Sequence, residues 1–257
     1  MSAGLRVERR GPAALLTLDR PERRNALTPE LVGQLADAAG EAGDDPGVAA
    51  VVITGEGSAF CAGGDLVALS SVAEGGARAV TDTVYGQFHR LVRTLAAVPV
   101  PVIAAVNGPA LGAGLDLALS CDLRCASTDA VFASSWIGAG LVPGMGGAHL
   151  LTRAVGSTRA AELVLTGRRV TAEEALGWGV VGEVVEPERL IARSLERAEA
   201  LAELSRPALQ SSKAALRRAL GADFEGELAV LGAIQGGLLT SPEFRAAAAA
   251  FSRRRTS

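Results

Sequence analysis

The sequence predicts an α/β protein in which strand, glycine-rich loop and helix recur, followed by a part that is helical alone. Three observations support this. The runs Val48–Thr54 and Val102–Val106 are continuously apolar and rich in β-branched residues, as in strands covered on both faces. A glycine-containing loop follows each, "GEGSAFCAGGDL" after the first and "NGPALGAGL" after the second. From about Pro187 onward the pattern is helical only.

The elements follow in order. Ala14–Leu18 reads as a strand, ended by Asp19-Arg20-Pro21. Thr28 and Pro29 supply an N-cap and a first-turn proline for a helix through about Ala42. Tyr85, Phe88, Leu91, Val92 and Leu95 have helical spacing, and Pro99 and Pro101 end that helix by removing donors and extending the chain. Gly114–Ser120 is the next helix, then two short strands at Asp122–Cys125 and Ala130–Phe132. A third glycine-rich stretch, "GAGLVPGMGGAHLL", leads into another helix. Thr171 and Glu174 form a capping box before a short helix and a strand at Val180–Val185. Ser241-Pro242-Glu243 opens a final Ala-rich helix, and Ser70–Thr83 carries no assignable pattern. The boundary is placed near residue 190, giving a mixed core over 1–190 and a helical region over 191–257.

Composition narrows the functional classes. At 257 residues and 49% hydrophobic content the chain can bury a substantial core, which argues against disorder. A net charge of −3 and no basic face argue against nucleic acid as a partner. Arg253–Arg255 reads as a solvated tail. Cys61, Cys121 and Cys125 are odd in number with no C-x-x-C pair, so buried thiols are expected rather than a metal site or disulfide framework. "MSAGLRVERRGP" has no apolar signal core and no stretch resembles a membrane span, so a cytoplasmic protein without membrane contact is expected.

Asp116 stands out, because it interrupts the apolar run Leu115–Leu119. A buried, unpaired carboxylate costs several kcal/mol unless it is hydrogen-bonded or protonated.

Four motifs in register, "RPERRNALT", "AFCAGGDL", "PVIAAVNGPALGAGLDLALSCDLR" and "GLVPGMGGAHLLTRAVG", resemble the enoyl-CoA hydratase/isomerase, or crotonase, superfamily, and "LTGRRVTAEEALGWGVV" extends the likeness. The resemblance implies a crotonase-like spiral of repeated ββα units with C-terminal helices that assemble a homotrimer or homohexamer. It implies an acyl-CoA substrate whose thioester enolate is stabilised, with coenzyme A entering as part of the substrate and no separate cofactor or metal. The enolate oxygen would be met by the backbone N–H groups of Gly64 and Ala113, the latter at a helix start where free donors and the helix dipole favour an anion.

The same register assigns further roles. Arg24 and Ala26 would lie near the adenine and phosphates, with Ala62, Asp65, Leu66 and Trp136 lining the substrate site and Lys213 as another phosphate contact. Asp65 is expected to hold its loop through backbone hydrogen bonds. Many relatives carry a lysine where Val67 stands, and the closing "SPEFRAAAAAFSRRRTS" lacks the usual acidic-Gly turn.

Hydratases of the family use two glutamates. The first one's place is held by Asp116, one methylene shorter, and the second one's by Trp136. Val131 through Val155 contains no Asp or Glu, so no shift of register restores the second acid. Asp116 is thus the expected sole acid/base, with a pKa raised by its apolar neighbours. His149 is read as a helix-surface residue and His89 receives no role. Three functions remain open: an isomerase-type enzyme with one proton-shuttling carboxylate, a 2-trans-enoyl-CoA hydratase, and a non-catalytic acyl-CoA binding or carrier protein.

Overall fold

A hairpin opens the fold in a computed structural model that describes residues 4–246 and 248, apart from 220 and 222. Strands β1 (Leu5–Arg10) and β2 (Ala13–Leu18) pair antiparallel across Gly11. Helix α1 (Pro29–Asp44) follows, with the Thr28 hydroxyl accepting from Leu31 N–H, and then β3 (Ala50–Gly55). Helices α2 (Leu66–Ala73) and α3 (Gly76–Ala79) lead through a π-helical turn, Val80–Tyr85, into α4 (Gly86–Ala97). Next come β4 (Val102–Val106), β5 (Ala110–Leu111), α5 (Ala113–Ser120), β6 (Leu123–Ser127) and β7 (Val131–Ala133). Helix α6 (Gly147–Thr166) bends at Gly156, whose φ of 79° is non-helical. The body ends with β8 (Val170–Thr171), α7 (Ala172–Trp178), β9 (Glu183–Val185) and α8 (Leu190–Ala202). Helices α9 (Arg206–Arg218) and α10 (Phe224–Leu239) complete the described elements, followed by a short helical stretch over 242–246. The rest of that Ala-rich helix and the Arg253–Arg255 run lie outside the described residues.

The strands form two sheets. One has the order β1-β2-β3-β4-β6-β9 and is parallel from β2 onward, the other is β5-β7-β8. Parallel strands buried on both faces read as near-continuous apolar runs, which β2, β3 and β4 supply apart from Thr17 and from Thr54, whose hydroxyl donates to Ala105 O at 2.9 Å. Alternate residues feed two cores. Leu16, Leu18, Val51 and Ile53 face the larger one, while Ala13, Leu15, Ala50, Val52, Ile103 and Ala105 face a smaller one.

Helix α8 closes the smaller core with Leu190 and Ala198. The chain after the boundary expected at residue 190 is helical, and its first helix packs on the sheet. The body continues through α8, because without it one face of the sheet would be bare. Helix α9 is also tied in, with the Arg206 guanidinium donating to the carbonyls of Gly43 at 2.9 Å and of Val48. Helix α10 rests on α9, where Arg218 forks onto Glu227 at 2.9 and 3.1 Å, and it leaves Leu228, Val230, Leu231 and Leu239 exposed. Among the described residues no helix is long and apolar enough to cross a membrane.

Candidate active site

Two loops leave the same sheet edge, one after β3 and one after β4, and backbone hydrogen bonds weld them together. Cys61 N–H donates to Pro109 O at 3.0 Å and Leu111 N–H to Cys61 O at 2.9 Å. On the other side, Leu27 N–H donates to Gly63 O and Asp65 N–H to Leu27 O, both at 2.8 Å. The buried Asn25 pins the assembly, accepting from Arg20 N–H at 2.9 Å and donating to Glu56 O and Ala59 O at 3.0 and 2.8 Å. Arg24 and Asn25 both adopt left-handed backbone, with φ of 48° and 57°.

The pattern engages Asp65 N–H, just after Gly64, and Gly112 N–H, just before Ala113, the latter on Ala133 O at 2.8 Å, and passes over those two positions. Among the described residues, neither Gly64 N–H nor Ala113 N–H has a partner. Ala113 is the first residue of α5, where N–H groups lack intrahelical acceptors. The two loops approach so closely at Gly63 (φ 109°) that an added Cβ would stand 2.9 Å from Leu111 O and 3.7 Å from Ala113 N. A side chain there would force the loops apart. Gly64 and Ala113 both line a cavity of about 200 Å³, together with Ala62, Leu66, Ser135 and Trp136.

That cavity adjoins two others. Outward, a cleft of about 280 Å³ is lined by Glu22, Arg23, Arg24, Ala26, Gly64, Asp65, Leu66 and Val67. Inward, an apolar chamber of about 520 Å³ shares Leu66, Leu69, Trp136, Ala139 and Leu141 with the middle cavity. The order is charged cleft, unpartnered donors, apolar chamber.

The structure thus brings together Gly64, Ala113, Arg24, Ala26, Ala62, Asp65, Leu66 and Trp136. Asp65 holds the loop, capping α2 by accepting from Ala68 N–H at 3.3 Å and pairing with Arg20 at 2.9 Å. Burial works to raise its pKa, but Arg20 and the Ala68 N–H outweigh it and hold the carboxyl below its ordinary value.

Lys213 is a correction. Its ammonium lies 2.6 Å from Asp122 and donates to Leu95 O and Val100 O at 3.1 and 3.0 Å. All three N–H donors are engaged and the side chain is buried, so Lys213 fastens α9 to the end of α4 rather than meeting a phosphate at the cleft.

Asp116 sits on α5 one turn after Ala113 and is 1% exposed. Its carboxylate accepts from Met145 N–H at 3.3 Å and faces the Gly147 N–H, at the start of α6. A Cβ at Gly147 would overlap the carboxylate, so only glycine fits there. Burial pushes the Asp116 pKa up to about 7, against the smaller lowering effects of Met145, Trp136 and Gly147. The Trp136 indole N–H faces the same carboxylate but falls short of bonding geometry, leaving Nε1 buried without a hydrogen-bond partner. Asp116 is in the wall of none of the three cavities, whereas Trp136 lines the inner two. The only acids in those walls are Glu22 and Asp65, both in the outer cleft.

His149 is exposed on α6, as expected. His89 has a role that sequence reasoning missed, since its Nε2 lies 2.8 Å from Gly144 O and its ring 5.3 Å from that of Tyr85. It ties α4 to the glycine-rich loop. The chamber residues Val80, Val84 and Tyr85 were also missed, because the unassigned stretch and the π-helical turn hide their common face.

The arrangement can hold a carbonyl oxygen on two backbone donors, with a charged end outside and a hydrocarbon end inside. Known proteins identify the family. The family model described as enoyl-CoA hydratase/isomerase matches residues 8–256. A Rhizobium meliloti protein named "Probable enoyl-CoA hydratase" is 42% identical over 84% of this chain and 82% of its own length. The "Short-chain-enoyl-CoA hydratase" of Clostridium acetobutylicum is 34% identical over 97% and 94%. The crystal structure of an enoyl-CoA hydratase from Polaromonas sp. JS666 superposes with a TM-score of 0.93 at 33% identity, covering 97% of each chain. Fold, loop motifs and relatives converge, and the chain belongs to the enoyl-CoA hydratase/isomerase family, with the crotonase fold.

Proposed function

We propose that this enzyme binds an acyl-CoA thioester, stabilises its enolate and moves a single proton between C2 and C4, as an isomerase. The observation that carries this is the pair of unpartnered donors, Gly64 and Ala113, between a cleft lined by Arg23 and Arg24 together with Glu22 and Asp65 and an apolar chamber whose walls hold no carboxylate. The coenzyme would lie toward Arg23 and Arg24 and the acyl chain toward Leu69 and Phe88. With the thioester oxygen on both donors, the C2–H bond breaks and its electron pair spreads onto that oxygen, where backbone donors are most effective. Asp116 takes the proton. As the enolate collapses, the proton returns at C4 and the double bond moves from C3–C4 to C2–C3.

Asp116 suits the task because a carboxyl near pH 7 is poised both to accept and to return a proton. Reaching it requires the Trp136 ring to move aside, since that ring and not the carboxylate lines the cavity. A second reading, hydration of a 2-enoyl thioester, draws support from the hydratase names of the relatives. It would require Asp116 alone to activate water, with no second acid at Trp136. The exposed apolar residues of α10, Leu228, Val230, Leu231 and Leu239, support assembly into a trimer or hexamer through the C-terminal helices.

The test is a screen of 3-enoyl- and 2-enoyl-CoA thioesters in ¹⁸O-labelled water with product analysis. The isomerase reading expects a 2-enoyl product free of label. A labelled 3-hydroxyacyl product as the main outcome would favour hydration. Tight binding with no turnover of any thioester would favour a carrier.

A further inference from the structure

The middle cavity and the inner chamber differ in size and wall chemistry, and that difference bears on the acyl group. About 200 Å³ surrounds the Gly64 and Ala113 donors, enough for the thioester and the carbons next to it. Past Trp136, which forms a wall of both spaces, the chamber opens to about 520 Å³. Leu69, Val80, Val84, Phe88 and Leu141 make its walls apolar. Ser70, Tyr85 and the Trp136 indole bring its polar side-chain groups, and no charged side chain lines it. A carboxylated or amino-substituted tail would lose its hydration there without a charged partner. A short chain would stop near Trp136 and leave this surface wet.

We propose that the chamber selects acyl-CoA thioesters with an unsubstituted hydrocarbon chain of about eight or more carbons: at roughly 30 Å³ per methylene, near the share of a liquid water, its volume of about 520 Å³ is several times what a four-carbon group can fill. The inference rests on the acyl-CoA reading above and adds the chain to it. It also separates this protein from relatives named for short-chain or crotonyl thioesters. Selection comes from the walls. Ala73, Val80, Val84 and Phe88 line the chamber and not the middle cavity, so a longer chain covers apolar surface that a four-carbon group does not reach. Each buried methylene strengthens binding about fourfold, the equivalent of ~0.8 kcal/mol. Ala73, the last residue of α2, and Val80, in the π-helical turn, border the chamber without belonging to the donor loops.

The experiment is calorimetric titration with saturated butanoyl-, hexanoyl-, octanoyl-, decanoyl- and dodecanoyl-CoA, which needs no turnover. Affinity is expected to rise about fourfold per methylene from four carbons to at least eight. Ala73→Phe places a ring in the chamber and should lower the decanoyl-to-butanoyl affinity ratio at least tenfold. Val80→Phe should do the same from another wall, so the test survives if one variant fails to fold. A change of less than threefold between butanoyl- and decanoyl-CoA overturns the proposal, as does an unchanged ratio in both variants. A steep affinity series without turnover sinks the isomerase reading and leaves the chamber's selectivity standing. Turnover with a flat series does the reverse, and no binding at any length removes both.

Discussion

Replacing Asp116 by Asn should remove the fall of stability with rising pH and cut activity, with a pH dependence that identifies the cause. The folded carboxyl, pushed up to about 7 by burial, keeps its proton to higher pH than the same group in the unfolded chain, near 3.9. The unfolded state therefore binds fewer protons across that interval, and wild-type stability falls as pH rises from about 4 to about 7, with no further loss above. The slope is about 1.4 kcal/mol per pH unit, or roughly 3 kcal/mol between pH 5 and pH 7. Asn does not titrate. An amide nitrogen turned toward the donors of Met145 or Gly147 costs about 1–3 kcal/mol, and that penalty is the same at every pH. Urea denaturation of both proteins at pH 5, 6, 7 and 8 should show the variant gaining about 3 kcal/mol on the wild type across the range, most of it below pH 7. In parallel, wild-type turnover should rise as pH passes through about 7, where the base form appears, and the variant should lose at least about 10²-fold. Stability profiles that run parallel would refute the buried, proton-holding carboxyl, and full activity in the variant would refute its catalytic role.

Ala113→Pro removes one donor while leaving the helix its start, since proline is tolerated in the first turn. Turnover should fall about 10²–10³-fold, with a melting temperature close to wild type by calorimetry. Lys213→Met leaves Asp122 and two carbonyls without their cation and should cost about 2–4 kcal/mol in urea denaturation, with acyl-CoA affinity in the native state unchanged. An affinity loss of tenfold or more would return Lys213 to the phosphate site. Light scattering at micromolar concentration should report a trimer or hexamer, and a monomer would contradict the role given to α10.

Much of the site was legible because its demands are those of the backbone. Glycines at 63, 64 and 112 mark places where two chains must meet closely, and the apolar run around Asp116 already implies a buried acid. Its partners were not legible. Met145 and Gly147 lie about thirty residues away, and only the folded chain puts the start of α6 against α5. Strand β1 was missed because only Leu5 of its residues is buried, leaving no alternation to read. The chamber wall was missed because α2 and α3 bury no residue, so Ala, Ser and Gly there follow no helical stripe. Lys213 misled because a cation on a helix looks the same whether it faces a phosphate or the carbonyl end of a neighbouring helix.

The two main-chain bridges, Leu27 to Gly64 and Cys61 to Ala110, have an evolutionary reading. They fix the donor spacing through peptide groups that every amino acid shares. Substitution at the walls can therefore proceed without disturbing the grip on a carbonyl oxygen. A lineage that exchanged a glutamate for Trp136, or lengthened Asp116 back to Glu, would be editing the proton chemistry on a constant electrophile clamp. Divergent reactions can then arise on this scaffold one side chain at a time, each intermediate still able to polarise its substrate.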